Sequence, residues 1–200
     1  AKYVRATEMV DYDVAAVKKQ ANEIKKANNT LLQCVKATHE FIAKMPLGYD
    51  REDKPASYIL EKGRGQCNTK TTLFLALARA MGIPTRVHVW RVKKRAHKHH
   101  MPSLVYWFTP KTTIFTYPEV YYKKQWKLLS ELIRVKGDPD WDVCPFDDAP
   151  HRDHPLKQEW VAQDLGSMWH PDQWVDKLGT NSDGWRRLAF PIAQLLLNRY

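Results

Sequence analysis

Cysteine is scarce in this 200-residue chain: there are three, Cys34, Cys67 and Cys144, widely spaced, odd in number and without a CxxC pair. That excludes a disulfide framework and a zinc knuckle as the organising device. It also makes a reducing, cytoplasmic setting the default expectation. Long apolar runs are missing too. No charged-then-apolar leader opens Ala1-Lys2-Tyr3-Val4-Arg5, although Ala1 need not be the natural start, and no run reaches the roughly 20 residues of a membrane span. The most apolar tail segment, 188–197, is interrupted by Pro191. No repeat and no low-complexity linker divides the chain. A single domain over 1–200 is therefore expected, with a helical part over 8–62, a middle part over 63–130 and an irregular, partly helical part over 131–200.

What is present fits a soluble core of ordinary size: 44% hydrophobic residues, with eight Trp and nine Tyr for large aromatic contacts. Basic residues outnumber acidic ones 32 to 22, a net charge of +10. Such a surface attracts anions of many kinds and does not choose among them.

The most informative stretch is Gly63-Arg64-Gly65-Gln66-Cys67, followed by Asn68-Thr69-Lys70 and an apolar run to Met81-Gly82-Ile83-Pro84. The glycines permit a tight turn. The run that follows is apolar on nearly every face, as a helix packed all round should be, and Gly82 with Pro84 ends it. Cys67 then stands at the positive end of a helix dipole near Lys70, where a thiolate is favoured and the thiol pKa should fall. That is the setting of a cysteine nucleophile. The bland alternative is a buried structural cysteine.

Around this turn, Asp11 and Asp13 offer N-caps to a helix with Val14, Val17, Ala21 and Ile24 on one stripe. A second helix carries Leu31, Cys34, Val35, Phe41 and Ile42, with Cys34 in the core, and 55–62 reads as a short helix. Strict alternation over 85–92 reads as a strand. A basic loop over 93–100 follows, then strands over 112–122 and 126–129 joined by a turn at 123–125. Helices are expected over 171–178 and 185–199. The class is α+β, with an antiparallel sheet packed on the cysteine helix.

Ala56-Ser57-Tyr58-Ile59-Leu60, the Gly63 to Cys67 turn, and Leu77-Ala78-Arg79-Ala80-Met81-Gly82-Ile83-Pro84-Thr85-Arg86 together resemble the core of the transglutaminase-like superfamily, in its microbial form. Tyr117-Pro118-Glu119-Val120-Tyr121 with Trp126 is similar to that family's following strand pair. The resemblance covers about 8–130. It implies a papain-like fold and a Cys-His-Asp triad acting on an acyl donor, with the nucleophile at Cys67. The family's His falls at Phe115 and its Asp at Ser130, so the triad is non-standard. Without an imidazole the thiol loses its general base and later acid.

As a substitute base His88 is the candidate, on the strand after the cysteine helix and on a face with Arg86 and Trp90; its plain reading is a structural sheet histidine. Glu119 is a second speculative catalytic group, or a structural partner of Arg86. Phe115, Tyr117 and Trp90 would wall the pocket with aromatic surface, and Gln66 could contribute to an oxyanion hole beside the Cys67 N–H. Lys93, Lys94 and Arg95, with Lys98, could meet a phosphate at the pocket mouth. His97, His99 and His100 are crowded and lack a carboxylate or cysteine, so no metal site is read from them, and no cofactor is implied. The basic stretch has no interleaved aromatic residue and no nucleic-acid motif beside it, which disfavours nucleic acid; no membrane partner is expected. Two functions follow. One is thiol-dependent acyl transfer or amide or thioester chemistry on a small-molecule or carrier-protein-bound substrate. The other is an inactive binding module for an anionic ligand or partner.

Overall fold

The structure, a computed structural model, describes residues 2–98, 103–129, 158–180, 191 and 194–196. Three helices, α1 (Ala15–Ala27), α2 (Leu31–Ala43) and α3 (Ala56–Lys62), surround a fourth, α4 (Cys67–Ala80). Helix α1 buries Val17, Ala21 and Ile24, spaced four and three residues apart on one face. The expected caps differ: Val14 precedes α1 without a side-chain bond. Asp11 instead accepts from Ser57 N at 2.9 Å and from Ser57 Oγ, and so caps the first turn of α3 from a distance. Thr30 caps α2 in a reciprocal box with Gln33. Cys34 is core, as its stripe predicts.

Helix α4 is buried from Cys67 through Arg79, including its polar residues. Leu73, Phe74, Leu75, Ala76, Leu77 and Ala78 have no exposed surface. Each large apolar side chain among them contributes about 1.5–3 kcal/mol by leaving water. The helix ends at Gly82, φ 83°, whose N–H bonds Arg79 O at 2.9 Å.

Four antiparallel strands, β1 (Thr85–Lys93), β2 (Thr112–Tyr122), β3 (Gln125–Leu128) and β4 (Val161–Met168), lie in the order β3-β2-β1-β4. The first three match the strands read from the sequence within a residue; β4 is an addition. One sheet face carries Val87, Val89, Ile114 and Val120 into the main core with α4. The opposite face carries Trp90, Val92 and Tyr117, with Phe115, Leu128 and Val161 against them. A short helix α5 (Ser103–Phe108) joins β1 to β2, and α6 (Asp172–Leu178) follows β4. Of the helix expected over 185–199, Pro191 and the stretch 194–196 are helical, and its other residues lie outside the described ones.

Strand β3 pairs with β2 only from Glu119 to Tyr122. Farther along β2, side chains of α4 take the place of a strand. Asn68 Nδ2 donates to Ile114 O at 3.0 Å, and Thr71 Oγ1 donates to Thr116 O at 3.0 Å. The first turns of α4 are thereby fastened to the sheet.

Candidate active site around Cys67

The turn before Cys67 is laced to the loop that follows α2. Gly65 N donates to Pro46 O and Gly48 N to Gly65 O, each at 3.2 Å. Gly63 has φ 62°, the left-handed cap of α3. Gly65 is required for another reason: a Cβ there would stand 2.7 Å from Thr69 Oγ1. That hydroxyl accepts from Gln66 N at 3.0 Å and closes the first turn of α4. Gln66 Nε2 donates to Asp50 O at 3.2 Å and to Glu52 Oε1 at 2.9 Å. Its amide hydrogens hold the loop, so Gln66 straps the turn that carries Cys67. Lys70, one turn on, is buried and donates from Nζ to Met45 O at 2.6 Å. Gln194 Nε2 adds a bond to Tyr49 O at 3.0 Å.

Cys67 thus opens the buried helix with 8% of its surface exposed. Its Sγ donates to Asn68 Oδ1 at 3.5 Å. The same oxygen accepts from Thr116 Oγ1 at 3.1 Å. On the loop side stands Tyr49. Burial pushes its hydroxyl well above the ordinary tyrosine range, and negative charge on Cys67 pushes it in the same direction. The sulfur therefore has a helix dipole behind it, a phenol that stays protonated near it, and a fixed carboxamide oxygen against it. Asn68 and Tyr49 were not singled out in the sequence. The only signals for them are adjacency to Cys67 and the Pro46-Leu47-Gly48 break before Tyr49.

The structure does not bring His88 to the thiol. Its ring faces β4: Nε2 lies 2.8 Å from Asp164 Oδ1 and Nδ1 lies 3.1 Å from Ser167 Oγ. It also stacks on Trp90 at 4.1 Å between centroids. Ser167 Oγ passes on to Glu119 Oε2, and Arg86 grips Glu119 through Nε at 2.6 Å and Nη2 at 3.1 Å. Glu119 has the structural partner foreseen for it. Arg86 in turn lies 4.3 Å from the Trp126 ring centroid, a cation–π contact. Trp90, Phe115 and Tyr117 form an edge-to-face cluster on the same outer sheet face, with Trp90–Tyr117 centroids 5.4 Å apart and Phe115–Tyr117 centroids 5.9 Å apart. These aromatic residues come together, on the face opposite the one packed against α4.

The basic side chains also find local partners. Lys93 Nζ donates to Glu159 O at 3.2 Å, Arg95 donates to the same carbonyl, and Lys94 Nζ donates to Trp107 O at 2.9 Å. They tie the turn after β1 to α5 and to the approach to β4. Ser130, His99 and His100 lie outside the described residues. Among the described residues no three His, Cys, Asp or Glu side chains gather as a metal site would need. No helix among them is long and apolar enough to cross a membrane.

With this geometry in place, a family model for the transglutaminase-like superfamily matches residues 14–129, more than half of the chain. The chain belongs to this superfamily. The match runs from just before α1 through all of α4 and strands β1–β3. A solved structure from Cytophaga hutchinsonii, described as a "putative cysteine protease", has a similar fold, with a TM-score of 0.55 at 13% identity. The alignment covers 85% of this chain and 47% of that one, so the chain spans about half its length. At that identity the likeness concerns the fold, a transglutaminase-like, papain-like arrangement of helix and antiparallel sheet. No curated protein matches the chain significantly.

Proposed function

We propose that the chain is a thiol-dependent acyl-transfer or acyl-hydrolysing enzyme in which the Cys67 sulfur attacks the acyl carbon of a small-molecule or carrier-bound amide or thioester. One observation carries this reading: Cys67 opens a buried helix inside a superfamily of cysteine chemistry, on a turn whose glycine, glutamine and lysine contacts fix the sulfur's position. The helix start favours negative charge on the thiolate and on an oxyanion beside the Cys67 N–H. Phe115 and Ser130 stand as replacements for the usual His and Asp. With His88 held by β4 and Phe115 at the position of the family's His, this reading favours a thioester donor, whose thiolate leaves without a proton from an imidazole.

The second reading, an inactive binding module, draws on that same commitment of His88 and Glu119 to structural bonds. One experiment separates the two. The full chain is exposed to a panel of acyl thioesters and carboxamides and followed by intact mass. The enzyme reading expects an acyl adduct on Cys67 that hydroxylamine releases and that Cys67→Ala cannot form. A wild type that never acylates, while Cys67→Ala binds anionic acyl compounds as the wild type does, establishes the module instead.

A further inference from the structure

The Asn68 side chain accepts a hydrogen bond from the Cys67 sulfur, and its orientation is not free. Its Nδ2 donates to the Ile114 carbonyl at 3.0 Å, a partner that can only accept. Its Oδ1 accepts from the Thr116 hydroxyl at 3.1 Å. The Ile114 contact fixes the amide with oxygen toward the sulfur, because a flip would set Oδ1 against that carbonyl, two acceptors face to face. The residue is 2% exposed, so water does not offer a substitute partner. A carboxamide oxygen 3.5 Å from Sγ accepts from a thiol and repels a thiolate. The helix dipole at the same sulfur works in the opposite sense.

We infer that Asn68 is a positioning residue that keeps the resting Cys67 as a hydrogen-donating thiol, so the nucleophile is guarded until that S–H bond is given up. This rests on the reading of Cys67 as the nucleophile and adds how its ionisation is controlled. Other described groups lie on the elements that flank the sulfur. Tyr49 faces it from the loop after α2, and Lys70 on α4 spends Nζ on Met45 O. Glu52 accepts from Gln66, and β2 presents Ile114 and Thr116, which do not titrate. Asn68 is itself uncharged, so Asn68→Ala removes the acceptor without removing a native charge.

The test is the pH profile of iodoacetamide alkylation at Cys67 in the intact chain, read by peptide mass, for wild type, Asn68→Ala and Asn68→Asp. Removing the acceptor releases the thiolate. Asn68→Ala is expected to alkylate roughly three- to tenfold faster at neutral pH, the worth of one hydrogen bond, with its profile moved to lower pH. Asn68→Asp places a charge against the sulfur, slowing alkylation and moving the profile to higher pH. A purely structural role would loosen the site in both variants and move both the same way. Equal shifts, or none, overturn the inference. Should Asn68→Ala fail to fold, the near-isosteric Asn68→Leu takes its place: a faster reaction upholds the guard, and an unchanged or slower one removes it. The readout needs no acyl donor, so a missing acyl adduct would defeat the enzyme reading and leave this result standing.

Discussion

Arg79 shows how much a single side chain can hold in this molecule. It is 2% exposed in the last turn of α4. Its guanidinium donates to Arg5 O at 2.8 Å, Thr85 Oγ1 at 3.1 Å, Thr85 O at 3.0 Å and Trp169 O. Those acceptors come from the N-terminal segment, the start of β1 and the turn before α6. A planar fork reaches them together; an ammonium cannot. Arg79→Met should therefore cost about 3 kcal/mol or more by leaving buried carbonyls without a donor, read as a lower urea midpoint at unchanged slope. Arg79→Lys should recover only part of the loss. A midpoint equal to wild type for Arg79→Met would mean that water or a rotated carbonyl serves equally well.

Among the elements, the β2–β3 hairpin carries avoidable strain. Its two loop residues, Lys123 and Lys124, have φ 47° and 64°, the left-handed region where a Cβ is disfavoured. Asn-Gly is the pair such a turn prefers. Replacing Lys123-Lys124 by Asn-Gly should stabilise the chain by about 1 kcal/mol, a rise of about 2–4 °C in Tm for a domain of this size. No gain in a calorimetric scan would show that the lysines hold the turn by other means. Helices α1–α4 and α6 and the first three strands were legible because their periods are clean: the apolar run of α4, the alternation of β1 and the Thr- and aromatic-rich β2; the short α5 was not. Strand β4 was not, and the reason is local. Gly166, φ 74°, and two register shifts against β1 break its alternation. Missing β4 also hid where His88 points, because Asp164 and Ser167 both lie on it. Cys67 could be placed on a helix start from sequence alone. The carboxamide beside it could not, since its role depends on the Ile114 carbonyl, 46 residues away.

On the scale of the whole molecule, Asp172 links the N-terminal segment to α6. It accepts from Thr7 Oγ1 at 2.7 Å and Met9 N at 3.1 Å, with His170 Nδ1 2.9 Å away. Burial alone pushes this carboxyl up, but the hydrogen bonds from His170, Thr7 and Met9 outweigh it and hold it below the usual carboxylate range. A group lowered in the folded state contributes fully above its unfolded pKa, and that contribution fades as pH falls through the folded value. Asp172→Asn should therefore be less stable than wild type by about 2 kcal/mol at neutral pH, and the gap should close below about pH 4. Urea titrations at a series of pH values check this; a gap that persists into strong acid would locate the effect elsewhere. The fastening of α4 to β2 has a different consequence. The carbonyls of Ile114 and Thr116 are just those an incoming chain would need to extend the sheet, and Asn68 and Thr71 have already taken them. The residue that touches the sulfur thus also covers part of a sheet edge, so the setting of Cys67 and the closure of β2 share one side chain.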